Sequence, residues 1–355
     1  MTNARWMLYG ANGYTGRLIA EVARRRGLSP VLAGRRREAI EPLAAEFGFD
    51  HRVVSLDDAA ALRGALADVD ALLLAAGPFA RTSRPAVDAC IATGTHYLDI
   101  TGEIAVFEAC AARSAEARDA GIALLPGVGF DVVPSDCLAA SLAERLPGAT
   151  ELELAFAGSG GWSRGTAKTM VEGLGWGGAV RRDGSIVRVP AAHAVREVPF
   201  RDRPRTCVAI PWGDVSTAYH STGIPNITVY MHMPRGQRRA IRAARPLLPL
   251  LRNRRVIAAL QRAIERRVIG PSDTTRAVAR SHLWGRASDG VRAVEGTLEA
   301  PEGYTLTAET AVESTVRLLA APQTGFLTPS KAFGADYIAR FDGCDLVVGD
   351  VQPAA

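Results

Sequence analysis

The stretch Trp6-Met-Leu-Tyr9-Gly10-Ala-Asn-Gly13-Tyr-Thr-Gly16 joins an apolar run to three glycines spaced three residues apart. The run predicts a buried strand, and the amphipathic pattern over 15–26 predicts a helix directly behind it. Glycines at such a junction allow a tight turn, close approach of the backbone to a pyrophosphate, and close packing of the helix on the strand. The N–H groups that begin the helix then bind phosphate. The residues expected to contact a dinucleotide here are Gly10, Asn12, Gly13, Tyr14, Thr15 and Gly16.

Short apolar runs alternate with amphipathic stretches over the first 125 residues or so, which is typical of βαβ units. A parallel strand buried on both faces is continuously apolar, and Ala71-Leu-Leu-Leu-Ala75 fits this pattern. The strands predicted in this region are 6–9, 30–33, 51–54, 71–75, 97–100 and 122–125. The sequence therefore predicts an α/β fold whose first domain, residues 1–126, has a Rossmann-type parallel sheet.

After residue 126 the predicted strands are longer and alternate in polarity, which suits a mainly antiparallel sheet. These strands are 151–157, 185–190, 195–200, 207–211, 227–233, 277–285 and 291–300, and helices are expected at 166–180, within 235–267 and at 308–320. We expect residues 127–325 to form an α+β domain that binds substrate and mediates dimerisation, with a homodimer as the expected assembly. A helix at 328–341 and a strand at 345–348, in residues 326–355, are expected to return to the Rossmann domain.

The end of the second predicted strand indicates which dinucleotide binds. An NAD-binding domain usually carries a carboxylate about 20 residues past the glycine loop, where it binds the ribose 2′-hydroxyl. Here the strand runs into Arg35-Arg36-Arg37, and the first acid is Glu38. Guanidinium groups fit a 2′-phosphate, so Arg35 and Arg36 predict NADP(H) as the cofactor, whereas Arg37 is expected to begin a solvated helix.

Three further loops follow predicted strands and belong to the same edge of the sheet, where ligands of such folds bind. Asp57 either accepts a hydrogen bond from the adenine amine or caps the helix that begins near Ala59. The other cofactor-binding candidates in these loops are Ala76, Gly77, Pro78, Phe79, Thr101 and Gly102.

Hydride transfer requires little from a protein beyond positioning, exclusion of water and a source of protons. Asp131 follows the sixth predicted strand and is the leading candidate for this catalytic role, although a turn or helix-cap residue is nearly as good an interpretation. Tyr97 on the fifth strand is a second catalytic candidate. Lys168, which begins a helix of the second domain, is a third, since it could bind a carboxylate or phosphate of the substrate; an isolated lysine is more often simply solvated.

The excess of positive charge lies in one part of the chain. The net charge is +5, but residues 235–267, which we call the arginine segment, contain eleven arginines and one acid. The pattern predicts amphipathic helices broken near Pro246 and Pro249. These helices either pack on the second domain or dock an acidic partner, such as a carrier protein, a CoA ester or an anionic membrane surface in peripheral contact. Nucleic acid is not expected, because no recognition motif and few aromatic residues accompany the charge.

The five cysteines and six histidines are dispersed, without metal-ligand spacing. This pattern predicts reduced thiols and no metal site, and we expect a cytoplasmic protein. A first strand beginning at Trp6 leaves no room for a signal peptide, and no apolar run approaches the roughly 20 residues that span a bilayer.

Five motifs are distinctive along the chain: Gly-Ala-Asn-Gly-Tyr-Thr-Gly at 10–16, Ala-Gly-Arg at 33–35, Gly-Pro-Phe at 77–79, Thr-His-Tyr-Leu-Asp-Ile-Thr-Gly-Glu at 95–103 and Gly-Phe-Asp-Val-Val-Pro-Ser-Asp at 129–136. Together they resemble the saccharopine dehydrogenase-like oxidoreductases, most closely the trans-acting enoyl reductase branch. The similarity extends to Leu327-Thr-Pro329 and so covers essentially the whole chain. One departure is Lys168, which follows the branch's Ser-x-Gly-Thr pattern at 163–166 and leaves the acceptor open.

The resemblance implies an NADPH-dependent oxidoreductase that transfers hydride to a small-molecule or acyl substrate, either free or linked to a carrier protein or CoA. In the enoyl reductase branch the acceptor is an activated C=C bond, and the neighbouring alternative is reduction of a C=N (imine) bond. A different interpretation is a sensor or scaffold that binds NADP(H) without turnover. Such a protein needs no proton donor beside the nicotinamide.

Overall fold

The computed structural model describes residues 4–158, 161, 163–175, 177–267 and 270–354. The chain divides into two compact units. The first unit contains the residues up to 133 and residues 304–332, and the second contains residues 134–303 and those from 333 onward. The chain therefore leaves the first unit, returns to it, and ends in the second.

Strands and helices alternate through the first unit, as the sequence pattern predicts. The strands are β1 (Trp6–Tyr9), β2 (Val31–Gly34), β3 (His51–Val53), β4 (Ala71–Leu74), β5 (His96–Asp99) and β6 (Ala123–Leu125). The helices are α1 (Tyr14–Arg25), α2 (Arg37–Phe47), α3 (Ala59–Leu66), α4 (Phe79–Thr93), α5 (Ile104–Ala112) and α6 (Ser114–Asp119).

These six strands form a parallel sheet in the order β6-β5-β4-β1-β2-β3. Every residue of β1, β2 and β4 is buried, as expected of strands covered on both faces. Met7, Val31 and Leu72 from these strands belong to one apolar cluster. Because the strands are parallel, their carboxyl ends lie along one edge, and the loops that leave them meet there. The prediction of a Rossmann-type sheet is confirmed.

The second unit begins at residue 134, in the first turn of α7 (Val133–Arg145), and contains a large mixed sheet. Its strands are β7 (Glu151–Gly158), β8 (Gly178–Arg182), β9 (Ser185–Val189), β10 (Val195–Pro199), β11 (Pro204–Ala209), β12 (Asn226–His232), β13 (Arg280–Ser288) and β14 (Arg292–Pro301). Its other helices are α8 (Arg164–Leu174), α9 (Asp214–Thr222), α10 (Arg235–Ala244), α11 (Arg254–Arg267) and α12 (Asp273–Val278), with a 3-10 turn at Arg245–Arg252.

The sheet of the second unit has the strand order β10-β11-β12-β7-β13-β14. Strands β7 and β12 are parallel, and the other neighbours in this order are antiparallel. A buried cluster on this sheet includes Trp284, Tyr230 and Phe200. The prediction of a mainly antiparallel second sheet is confirmed.

One predicted helix of the second unit is shorter than expected. The sequence predicts a helix over 166–180, but α8 ends at Leu174 and β8 begins at Gly178; residue 176 lies outside the described residues. Gly177 has a φ of +81°, a left-handed conformation that does not continue a helix. Helix α9 was not expected from the sequence.

The arginine segment folds into α10, the 3-10 turn and α11. Pro246 and Pro249 both lie in the turn, so the prediction of helices broken near these prolines is confirmed. Neither these helices nor any other in the described part of the chain is long and apolar enough to cross a bilayer.

The last elements of the chain are divided between the two units. They are α13 (Gly303–Ala320), β15 (Gly325–Phe326), α14 (Pro329–Phe333), a 3-10 turn (Tyr337–Arg340), β16 (Asp345–Val348) and β17 (Gln352–Pro353). Strand β15 extends the first sheet beside β6, but β16 and β17 pair with β14 of the second sheet. The expectation that residues 326–355 return together to the Rossmann domain is therefore wrong for the final strands, because the open edge of β14 supplies their backbone hydrogen bonds. Gly334, with a φ of +96°, also ends the predicted helix 328–341 early.

Helix α13 packs in the first unit, although the sequence places 308–320 in the second domain. Its first turn contacts α1, where the rings of Tyr304 and Tyr14 meet edge to face at 5.0 Å. Glu309 and Glu313 form ion pairs with Arg25 and Arg26 at the end of α1. Residues 127–133 also belong to the first unit, so the observed boundaries differ from the predicted domains 1–126 and 127–325.

Candidate functional site

The glycine loop between β1 and α1 requires glycine at two positions. Gly10 has a φ of +87°, and its N–H donates to the carbonyl oxygen of Ala33 at 2.8 Å. A Cβ on Gly16 would lie 2.2 Å from the carbonyl oxygen of Gly10. The helix therefore packs against the loop so closely that a side chain at residue 16 has no space. Asn12 is exposed beside Gly34, whose Cβ would lie 3.2 Å from the Asn12 Oδ1 atom.

The amino terminus of α1 lacks a side-chain cap. Gly13 occupies the N-cap position, and no acid lies in the first turn, which contains Tyr14 and Thr15. The backbone N–H groups at a helix start carry partial positive charge and bind anions. The loop therefore fits a dinucleotide pyrophosphate, as the sequence predicts.

Helix α4 differs, because a carboxylate of the protein occupies its amino terminus. The backbone N–H groups of Phe79 and Ala80 donate to the two carboxylate oxygens of Glu103 at 2.9 and 2.8 Å. The Glu103 carboxylate therefore caps α4, directly after the loop that contains Ala76, Gly77 and Pro78. Glu103 ends the sequence motif at 95–103, but only Thr101 and Gly102 of that motif were expected at the cofactor, since the partners of Glu103 lie more than 20 residues away in the chain.

Arg35 and Arg36 follow β2 as exposed side chains. Within the described part of the chain neither forms an ion pair, whereas Arg37 pairs with Glu41. Arg35 and Asp57 both act electrostatically on the hydroxyl of Tyr9, whose pKa is raised mainly by burial. The two charged residues therefore lie near the same end of β1, where an adenosine 2′-phosphate is expected.

Asp57 does not cap α3. Its neighbour Asp58 occupies the N-cap position and accepts from the N–H of Ala61 at 3.0 Å. The backbone N–H of Asp57 donates to the Ser55 hydroxyl at 3.2 Å, and its side chain is exposed. Of the two interpretations of Asp57, the cap is wrong, and the adenine contact stays a prediction.

Asp99 connects the loops that follow β5 and β6. It is fully buried, and its Oδ1 atom accepts from the N–H groups of Thr101 and Gly127, each at 2.9 Å. Its Oδ2 atom accepts from the hydroxyl of Tyr97 at 2.6 Å. Burial raises the pKa of Asp99 to about 6, although these three hydrogen bonds favour the charged form.

Asp131 lies in the loop after β6, beside the loop after β5. A Cβ on Gly102 would lie 2.8 Å from the Asp131 Oδ2 atom, so glycine permits this close approach. Removal from solvent, and then the negative charge of Glu103, raise the pKa of Asp131 to about 7. A carboxyl group with this pKa is substantially protonated at neutral pH and can donate a proton.

Helix α13 fixes the loop that carries Asp131. The N–H of Phe130 donates to the Thr307 hydroxyl at 3.0 Å, and the Thr310 hydroxyl donates to the carbonyl oxygen of Val128 at 2.8 Å. Neither threonine was expected at the site, because each lies about 180 residues along the chain from the loop that it contacts.

The remaining predicted residues have other surroundings. Tyr97 is fully buried in the core of the first unit and donates to Asp99, so the expectation that it acts in catalysis is corrected to a structural role. Thr101 is also fully buried, and its hydroxyl accepts from the N–H of Glu103 at 3.0 Å; its contact with a cofactor stays a prediction. Lys168 lies in α8 of the second unit and is partly buried. Among the described residues, no group of histidine, cysteine or acidic side chains is arranged to hold a metal ion.

Residues 6–125 match the model of a protein family described as the saccharopine dehydrogenase NADP binding domain. This match confirms the resemblance over residues 6–125 and the NADP(H) cofactor expected from the sequence. A Mycobacterium tuberculosis protein named as a trans-acting enoyl reductase is 33% identical over 182 residues, which cover 47% of this chain and 43% of the relative. A trans-acting enoyl reductase of Mycobacterium leprae is 32% identical over 138 residues, or 37% of this chain and 33% of the relative. The aligned part thus spans less than half the length of these relatives.

Two solved structures share the fold. Saccharopine dehydrogenase (L-Glu forming) from Saccharomyces cerevisiae, in its apo form, has a TM-score of 0.67 at 12% identity, covering 99% of this chain and 100% of that chain. Homospermidine synthase from Legionella pneumophila, solved in complex with NAD, has a TM-score of 0.59 at 13% identity, covering 94% of this chain and 88% of that chain. At these identities the similarity concerns the fold alone.

Replacing Arg35 and Arg36 together by alanine tests the 2′-phosphate assignment. We expect Arg35→Ala/Arg36→Ala to weaken NADPH binding by at least about tenfold, because charge-assisted hydrogen bonds contribute about 1.5–3 kcal/mol each. NADH binding should change little. Isothermal titration of both cofactors measures this, with Arg37→Ala as the matched control, and equal weakening of both cofactors would contradict the assignment.

Replacing Asp99 tests the connection between the two loops. We expect Asp99→Ala to lower the free energy of unfolding by about 3 kcal/mol, because two buried N–H groups and one hydroxyl lose their acceptor. Asp99→Asn keeps an acceptor oxygen and should cost less.

The folded wild type takes up a proton between its pKa of about 6 and the ordinary aspartate pKa of about 4, so its stability rises as pH falls through that window. The free energy of unfolding that Asp99→Ala loses, measured by denaturant titration, should therefore be larger at pH 5 than at pH 7.5. An equal loss at both pH values would count against the raised pKa of Asp99.

Proposed function

We propose, from the membership of residues 6–125 in the saccharopine dehydrogenase NADP-binding domain family, that this chain is an NADPH-dependent reductase of an activated C=C bond. The proposed substrate is an α,β-unsaturated acyl compound, either a small molecule or one linked to a carrier protein or CoA. The observation that carries the proposal is the position of the Asp131 carboxyl, which follows β6 at the carboxyl edge of the parallel sheet, where a Cβ on Gly102 would lie 2.8 Å from its Oδ2 atom.

The first unit has residues that fit three parts of NADP(H). Gly10, Gly13 and the uncapped amino terminus of α1 would hold the pyrophosphate. Arg35 and Arg36 would bind the 2′-phosphate, and Asp57 the adenine amine. When bound, NADPH supplies the hydride. Glu103 keeps α4 from serving as a second phosphate site, because its carboxylate already occupies that helix end.

Asp131 would supply the proton that balances the reduction. Saturating a C=C bond adds one hydride and one proton, so the chain must deliver a proton to the carbon next to the carbonyl group. A proton donor works best when its pKa lies near the working pH. The pKa of Asp131 meets this condition because its carboxyl is shielded from solvent and lies near the negative charge of Glu103.

The acceptor assignment comes from the relatives. Proteins named as trans-acting enoyl reductases are 32–33% identical over part of this chain, which favours an unsaturated acyl group that is presented from another molecule. Lys168 could bind a carboxylate or phosphate of such a substrate. Reduction of a C=N bond is the alternative chemistry, and it needs the same hydride and proton. A sensor without turnover needs no proton donor beside the nicotinamide.

Steady-state kinetics with and without the Asp131 carboxyl test the proposal. We expect NADPH oxidation with an unsaturated acyl thioester, and kcat should fall as pH rises above about 7, because the acid form is then lost. Asp131→Asn should lower kcat by about 10²–10⁴-fold and leave NADPH binding unchanged. The fall above pH 7 should also disappear from its residual activity.

The matched control is Asp119→Asn, which removes an exposed carboxyl at the end of α6. Turnover of an imine in place of the thioester would support the C=N alternative. NADPH binding without turnover of either substrate class would contradict the reductase proposal.

A further inference from the structure

The arginine segment has a surface that the proposed reductase chemistry does not use. Arg235, Arg238, Arg239 and Arg242 of α10 line a cavity of about 230 Å³. Within the described residues none of these four arginines forms an ion pair, and α10 contains no acid. Four guanidinium groups along one helix repel one another, and phosphate groups would relieve this repulsion through bidentate hydrogen bonds.

Aliphatic side chains are exposed in the same segment. Seven large hydrophobic side chains are exposed among the described residues. Three of the seven lie in the arginine segment: Leu250, Val256 and Leu260. Leu250 is 60% exposed in the turn between α10 and α11. Val256 and Leu260 are four residues apart in α11 and so lie on one face of that helix, with Arg255, Arg262, Arg266 and Arg267 exposed around them.

We propose that the arginine segment binds the surface of an anionic lipid bilayer. Helices that lie in a membrane interface combine basic residues, which contact lipid phosphates, with aliphatic residues, which enter the boundary of the acyl region. Clustered arginines are attracted to the negative surface potential of anionic lipids. The segment has both properties, and it lacks a helix long and apolar enough to span the bilayer.

Two other occupants fit this surface less well. A second copy of the chain would place one arginine segment against another in a two-fold interface, so that like charges would face each other. An acidic carrier protein would satisfy the arginines, but it gives no reason for aliphatic side chains to remain exposed beside them. A bilayer accounts for both features.

Flotation of the full-length protein with lipid vesicles tests this proposal. We expect it to bind vesicles of phosphatidylcholine with phosphatidylglycerol but not phosphatidylcholine alone, and salt should weaken the binding. The variant R235E/R239E/R242E should bind at least about 100-fold more weakly. The variant L250S/L260S keeps the charge and should bind about tenfold more weakly, because less apolar area enters the membrane.

The matched control is R63E/R145E/K331E, which changes the net charge equally at exposed positions outside the segment. Its vesicle binding should stay close to that of the wild type. Equal loss in this control, absence of vesicle binding, or binding to an acidic carrier protein in place of vesicles would overturn the proposal. The outcome is independent of the reductase assay, because vesicle binding needs neither NADPH nor substrate.

Discussion

The first unit depends on a buried carboxylate that connects two loops of different strands. Asp99 accepts hydrogen bonds from the end of its own strand and from Gly127 after β6. A buried carboxylate is costly unless donors surround it, so the two loops are stable only when they lie together around Asp99. Their close approach places Gly102 against Asp131. The chemistry proposed for the site therefore depends on a residue that contacts no ligand.

Helix α13 provides the second constraint on the same loops. It is far away in sequence, but Thr307 and Thr310 hold the backbone that precedes Asp131. The same helix is attached to α1, which begins at the glycine loop. Helix α13 therefore contacts both the helix that follows the glycine loop and the loop that carries Asp131.

The parallel sheet and the glycine loop could be predicted because their signals are local. Continuous apolar runs and glycine spacing reflect burial and backbone conformation at the residues themselves. The residues that organise the site could not be found in this way. Glu103 caps a helix that begins more than 20 residues earlier in the chain. Tyr97 was expected at the site because the sequence of a strand buried on both faces does not show to which face a side chain points. The strand at 345–348 was expected in the first sheet but pairs with β14, because no local sequence pattern shows that β14 has an open edge.

The central claim is that the surroundings of Asp131 make it a proton donor at neutral pH. Desolvation and the nearby charge of Glu103 are the two causes, and neither requires a bound cofactor. The most direct measurement is a titration of the Asp131 carboxyl carbon by NMR, with the signal assigned by its loss in Asp131→Asn. The structure predicts a midpoint near pH 7. A midpoint near 4, the ordinary value for aspartate, would contradict the account.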